Sequence, residues 1–449
     1  MSEQHLDGRT LAVSTRKNLN KVLTVTLLYF WFGLIWYFIG PIDYQKQYNQ
    51  GAILLAVFVA LYFLAFQAGF ILRVNQFRDL TPRPSSKGKV LSFLRVFIWI
   101  NLVFTVLNCL QYTYTLNFSE LLQRFQEALE DPGTAYFSKI SAMKEVNTSY
   151  SILTYITVFL APFLFPTLTM SLYYFKDLGK LQKLGVIATL FFEIVRWVSI
   201  GTNKGLLDVF ILVFTVLVLR ALQPGKIKPS AAERRKRRRR ILIALLLIVG
   251  FVAIFSHFLV SRSSKYPAEL YASFPYSMVP ESLRAPLYKL TSYLCQGYRS
   301  MQHILVNLDW EPTWGVGNST FLLSVVYRLT GLDLSVLTYQ TRICATGLVA
   351  PGAFQSAFAY FANDLSFVGV IFLMLICGYY LCTVLKEAIV DEDPISITLI
   401  YMLFLGILNI SCLNYMLAFS NMFVGFWGLF LVRIIKRKCS ITIGRIRIT

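Results

Sequence analysis

The sequence predicts an all-α integral membrane protein with about 10 transmembrane helices and one long extracytoplasmic loop. Three observations lead there. Apolar residues make up 56% of the 449 and charged ones only 15%, more apolar surface than one soluble core needs. Those apolar residues gather in runs of about 20, the length at which a helix crosses the hydrocarbon layer. The net charge of +20 is concentrated in short segments flanking these runs. That is the pattern of cytoplasmic loops held against anionic lipid, and it argues against a nucleic-acid partner.

Taken in order, residues 1–21 carry Arg9, Arg16, Lys17 and Lys21 and are expected to be a cytoplasmic tail. Span 1 (22–40) is followed by no small-residue cleavage pattern and reads as a retained helix. Span 2 (51–72) returns to Arg73, Arg78, Arg83, Lys87 and Lys89. Span 3 (90–112) leads out to a mixed-charge segment, 113–149, where Phe118 to Leu129 has the spacing of a short helix. It either lies on the membrane surface or is an ordinary loop helix. Span 4 (150–175) returns to Lys176, Lys180 and Lys183. Spans 5 (184–201) and 6 (203–222) are joined by the tight turn Gly201-Thr202-Asn203, expected at the outer surface.

A basic cytoplasmic loop, 223–240, follows, its Lys226 to Arg240 stretch reading as a topology anchor, with nucleic-acid binding as the other reading. Span 7 (241–260) completes the first helical block, 22–260, and leads into the long extracytoplasmic loop, 261–364. Pro267, Pro275, Pro280 and Pro286 should break the loop's first part, while Leu287 to Leu308 suits an amphipathic helix. Spans 8 (365–386), 9 (395–413) and 10 (415–434) fill residues 365–434, and Lys436, Arg437 and Lys438 mark 435–449 as a second cytoplasmic tail. Asp391-Glu392-Asp393 is acidic where cytoplasm is expected, but acidic residues carry little topological weight. No internal repeat and no inverted pair of broken helices stands out. The seven cysteines contain no CxxC or Cys/His cluster, so no structural zinc site is expected. Cys295 and Cys344, in the long loop, form either a disulfide or two thiols.

Charges inside apolar spans are costly and so point to function. Glu193 and Arg196 share one helix face on span 5, as Lys204 and Asp208 do on span 6. Arg196 lies only about one and a half turns below the outer turn. With the amino terminus of span 6, capping side chains Thr202 and Asn203, and Gly205 admitting close backbone approach, the corner suits a lipid phosphate. The alternative is two ion pairs that merely neutralise each other. The long loop adds Arg284, Lys289, Arg299 and Arg342, and the aromatics Tyr293, Tyr298, Trp310 and Trp314, suited either to phosphates and sugar faces or simply to the interface. Gly315-Val316-Gly317-Asn318 is either an anion nest or a plain turn. Proton acceptors are Asp309, Glu311, His303 and Asp364. Asp364, at the outer boundary of span 8, is the first choice for a base, or else a helix cap.

Tyr298-Arg299 through Trp310, Trp314-Gly315-Val316-Gly317 and Phe321, then Phe361-Ala362-Asn363-Asp364 and Gly369, resembles bacterial oligosaccharide repeat-unit polymerases, the Wzy-type O-antigen and capsule polymerases. Gly201-Thr202-Asn203-Lys204-Gly205 is similar to their Gly-Ser/Thr-Arg-Gly turn, with lysine replacing arginine and so losing the two-point fork. The resemblance covers mainly residues 190–380. It implies a GT-C-type glycosyltransferase of the bacterial cytoplasmic membrane, both termini cytoplasmic, that needs no cofactor and no metal. Its substrate would be an undecaprenyl-diphosphate-linked oligosaccharide in the surrounding membrane lipid, with flippase and chain-length regulator proteins as candidate partners. Asp364 would be the base, with Arg299 in the catalytic group. Arg196, Lys204, Arg342 and Arg284 would hold diphosphate, and Tyr298 and Trp314 would meet the sugars. An O-antigen ligase keeps this chemistry with another acceptor, and a polysaccharide or lipid-linked-sugar transporter is the alternative from a different class.

Overall fold

The structure, a computed structural model, describes residues 8–44, 49–82, 85–113, 117–145, 152–223, 231–261, 279–307, 311–315, 318–347, 355–413, 419–438, 441–443 and 446–448. It is helical almost throughout. The first block holds α1 (Gly8–Ile39), α2 (Ala52–Asn75), α3 (Lys87–Thr113), α4 (Phe118–Glu130), α5 (Pro132–Glu145), α6 (Ile152–Tyr173), α7 (Lys180–Val198), α8 (Lys204–Leu222) and α9 (Ala231–Ser261). Then come α10 (Glu281–Asn307), α11 (Thr320–Thr330), α12 (Tyr339–Ala345), α13 (Ala357–Lys386), a π-helical turn at Glu387–Asp391, α14 (Pro394–Leu408) and α15 (Ser420–Lys438). A small antiparallel hairpin pairs β1 (Ile441–Ile443) with β2 (Ile446–Ile448). Among the described residues six helices, α1, α2, α3, α6, α8 and α13 with its π turn, are long and apolar enough to cross a membrane. The chain is an all-α, multi-pass membrane protein.

Several boundaries differ from the sequence expectation, each for a local reason. Helix α1 starts at Gly8 and not near Val22, because Leu11, Ala12, Thr15 and Leu19 continue the buried stripe of Val22 and Leu23 at helical steps. The expected basic loop 223–240 is helical from Ala231 on. Its Ala, Glu, Lys and Arg are strong helix formers, so charge alone does not stop the helix. Pro286 lies inside α10 and not at a break; near the start of a helix it costs one backbone hydrogen bond without ending the run. Helix α13 begins at Ala357, ahead of the expected Leu365, because the Ser356 side chain accepts from the Ala359 amide as an N-cap. Pro267 and Pro275 lie outside the described residues.

Hydrogen bonds and ion pairs sort the loops into two ends. At one end Arg16 Nε donates to Phe77 O (2.6 Å), Asn18 to Leu222 O (2.8 Å) and Gln223 to both Tyr173 Oη and Glu392 (2.6 Å each). Lys87 pairs there with Asp177 at 2.8 Å. At the other end Tyr37 donates to Gln302 at 2.7 Å, Tyr29 to Leu408 O at 2.6 Å and the Ala357 amide to Ile410 O at 2.8 Å. A Cβ on Gly297 would lie 2.0 Å from Ser411 O, so α10 rests directly on the turn that follows α14. Segments expected inside thus meet one another, and segments expected outside do likewise.

Between the ends, α2 and α13 touch backbone to backbone. A Cβ on Gly69 would fall 1.9 Å from Leu375 O, and one on Gly378 2.0 Å from Phe66 O. Small residues allow this approach where lipid supplies no hydrophobic drive between helices.

The acidic Asp391-Glu392-Asp393 stretch has a structural account. Lys386 pairs with Asp391 at 2.8 Å and Lys436 with Asp393 at 2.7 Å. The Asp393 side chain also caps α14 by accepting from the Ser396 amide. Burial works to raise the Asp393 pKa, but Lys436 and the Ser396 hydrogen bonds outweigh it and hold the group below the usual carboxylate range. Beside them the buried Glu387 takes a two-point bond from Arg433, Nε at 2.9 Å and Nη2 at 2.8 Å. These acids hold α13, α14 and α15 together.

Candidate functional site

Asp364 lies on α13 just before its backbone breaks. Ser366 has φ 67° and ψ 164°, a region essentially reserved for glycine, at a cost of order 1–3 kcal/mol. Ser366 Oγ accepts from the Gly369 amide and so starts the helix again. Asp364 therefore caps neither half: Ser356 and Ser366 do. Its side chain is only 4% exposed and accepts from Thr313 Oγ at 2.5 Å. The Thr313 and Trp314 amides donate to the Asn363 and Asp364 carbonyls, each at 3.0 Å, laying the 311–315 segment along the break. Trp314 has a left-handed φ of 52° and is 77% exposed, so its ring faces outward beside Asp364. Arg342, on α12, donates to Asn363 Oδ1 at 2.8 Å and to Glu311 O at 3.0 Å. Asn363 in turn donates to Thr313 Oγ at 3.2 Å. Arg342, Asn363, Thr313 and Asp364 form one hydrogen-bonded group with two strained, non-glycine residues, as functional sites commonly do.

A second group surrounds the α7–α8 turn. Arg196 pairs with Glu193, and Lys204 with Asp208 at 2.5 Å. Both internal ion pairs form, and between the two cations stands Trp197, 4.8 Å from each. Trp197 Nε1 donates to Glu193 at 2.9 Å. Gly205 is needed for this ring, since a Cβ there would fall 2.2 Å from it; its role is packing and not backbone approach to an anion. The expected capping of α8 is absent: Thr202 donates back to Trp197 O at 3.0 Å, and Asn203 makes no side-chain cap. Three buried atoms, Arg196 Nε, Ser199 Oγ and Asn203 Oδ1, have no partner among the described residues, so the corner keeps unused polar capacity around its paired charges.

Helix α10 carries the remaining candidates and separates them by face. Tyr298 is 1% exposed, with its ring 6.0 Å from Tyr37 and its hydroxyl toward Gly33 of α1. It belongs to the core and meets no accessible surface. Its neighbour Arg299 points the other way, exposed, with its guanidinium 6.0 Å from the Tyr44 ring. Arg299 makes no hydrogen bond or ion pair among the described residues. That sets it apart from Arg196 and Lys204, whose charges are committed to carboxylates, and from Arg342, held by Asn363. The buried Tyr44 hydroxyl below it is also unpartnered among the described residues. Burial and the nearby Arg299 charge push His303 below its usual value. Burial alone takes Lys289 down to about 8. Arg284 donates to Val279 O at 3.0 Å, at the start of the same helix. Tyr293 packs edge-on against Phe255 of α9 at 5.8 Å.

The cations expected to converge on one phosphate are thus distributed over the α7–α8 corner, the Asp364 group and α10. Asp309, Trp310, Val316 and Gly317 lie outside the described residues. Cys295 and Cys344 are both free thiols, and Cys295 is fully buried. Two residues escaped the sequence reading. Trp197 could have been found from its place between two intramembrane ion pairs. Thr313 gives no signal until α13 is seen to break. The chain matches no protein-family model, no curated protein and no solved structure.

Proposed function

We propose that this chain joins undecaprenyl-diphosphate-linked oligosaccharide repeat units into a surface polysaccharide, as a metal-independent GT-C-type glycosyltransferase on the outer face of the bacterial cytoplasmic membrane. In this reading it crosses the bilayer about ten times, with α7, α9, α14 and α15 joining the six most apolar helices, and both termini are cytoplasmic. The end that carries Arg16, Lys87 and Lys436 is then the inner one.

The observation that carries the reading is the Asp364 group: a buried carboxylate, held by Thr313 at a strained helix break, beside an outward-facing Trp314. A carboxylate in a partly desolvated place can take the proton of an acceptor hydroxyl. An exposed aromatic ring can stack on a sugar face. The departing diphosphate needs fixed positive charge, and Arg299, which makes no ion pair among the described residues, is the candidate here for that role.

The purified chain, incubated with a lipid-linked repeat unit, is expected to produce a ladder of products. Arg299→Ala should lower the ladder rate by about 10²-fold or more at normal protein level. A single transfer to lipid A core with no ladder would move the assignment to a ligase, and no transfer at all would remove it.

Sidedness has its own test. Ser335→Cys, on the exposed turn before α12, should react with an impermeant maleimide in intact cells, and Arg239→Cys only after permeabilisation. The reverse pattern would put Asp364 on the wrong side of the membrane for this substrate.

A further inference from the structure

We propose that the cavity between α4, α5 and the α7–α8 turn holds the sugar part of the substrate and selects sugars that lack acidic groups; this rests on the glycan-polymerase reading above. The cavity has a volume of about 720 Å³, within the range of roughly 300–1,000 Å³ usual for small-ligand sites. Its wall combines the aromatic ring of Tyr112 with the carboxylates of Glu127, Glu130 and Asp131 and the hydroxyls of Thr134 and Ser199. Carboxylates and hydroxyls exchange hydrogen bonds with the many hydroxyls of a sugar, and a ring offers it a stacking face. Ser199 Oγ, buried and without a partner among the described residues, is one such group.

Charge then decides which sugars fit. The wall holds three carboxylates against one guanidinium, Arg124. Arg124 is itself tied to the Thr113 carbonyl and, outside the wall, to the Glu120 carboxylate, each at 2.5 Å, so its charge is already paired. Uronic or sialic acids entering here would meet like charge, and so would a diphosphate. Uncharged and amino-bearing sugars would not.

The cavity's position suits this role. Tyr112 also lies 6.0 Å from Trp197, with the Arg196 guanidinium 5.5 Å from its ring. Ser199 and Ile200 line the cavity from the same turn that follows Arg196. The cationic corner and the acidic cavity therefore share a wall. Sugars that enter the acidic opening would be sorted by sign of charge from the phosphates that carry them.

The test is equilibrium binding of labelled trisaccharides to the full-length chain in detergent. Trimers of glucosamine and of N-acetylglucosamine are expected to bind, and trigalacturonate to bind at least about 10-fold more weakly. Ser138→Trp, an exposed wall position, should abolish binding of the first two. Glu127→Lys with Glu130→Lys should reverse the order and admit trigalacturonate, a gain that misfolding does not produce. Equal binding of all three trimers, binding of none, or binding that survives Ser138→Trp would overturn the proposal. Free trisaccharides require no turnover. A ladder without trimer binding therefore defeats the cavity alone, and trimer binding without a ladder defeats the polymerase reading alone.

Discussion

Asp364→Asn is expected to lower polymer formation by about 10²–10⁴-fold while leaving the protein at its normal level. The substitution keeps the size of the side chain and an oxygen that can accept from Thr313, so the 2.5 Å contact that holds the 311–315 segment survives. What it removes is the ability to take a proton. Thr313→Val tests the other half of the arrangement: it leaves the base intact, removes its bond from Thr313, and takes a partner from Asn363 as well. A smaller loss is expected, since the base keeps its chemistry and loses only the contact that fixes the 311–315 segment beside it. Both variants are read as initial ladder rates with lipid-linked repeat unit, normalised to folded protein. A fully active Asp364→Asn protein would place the base elsewhere and leave the strained break at Ser366 without a catalytic account.

The fold was legible wherever one apolar run stood for one helix. α2, α3, α6 and α8 lie close to the expected spans because length, hydropathy and flanking charge all pointed the same way. The reading failed where two signals competed. The charge of 223–240 points to a loop, yet its helix propensity prevails from Ala231. Proline disfavours helix continuation, yet Pro286 is carried inside α10. The candidate site was legible as residue types and not as an arrangement. Arg196 and Lys204 attract notice because charges in apolar spans are rare. Their i,i+3 and i,i+4 carboxylates already offer ion pairing as one of two readings; the folded chain adds that both pairs form and that Trp197 parts them. Tyr298 and Arg299 are adjacent in sequence and were assigned together, but successive residues on a helix point about 100° apart. One falls into the core and the other to the surface. Asp364 and Thr313 are 51 residues apart, and no local pattern announces their contact.

Glu387→Leu and Arg433→Met should each destabilise the protein by about 3–5 kcal/mol, and the two together by much less. Glu387 and Arg433 are 4% and 7% exposed, and their bond is two-pronged, with Ser396 Oγ also donating to Glu387 at 2.8 Å. Removing one partner strands the other charge in a place that water does not reach. Removing both replaces the pair with apolar bulk, which often restores most of the loss. Arg433 also lies 5.3 Å from the Tyr380 ring, so Met, long and polarizable, is the replacement that keeps a contact there. Unfolding by SDS titration in mixed micelles measures each step. Single variants as stable as the parent would mean that the pair contributes nothing and that α15 is held by its apolar face alone. Activity of the double variant carries the further point, because this pair lies at the end of the bundle opposite Asp364. A stable double variant that still builds a ladder would make the pair scaffolding. A stable one that builds none would mean that the register of α13 at Glu387 is felt at its break beside Asp364, roughly 30 Å away along the helix.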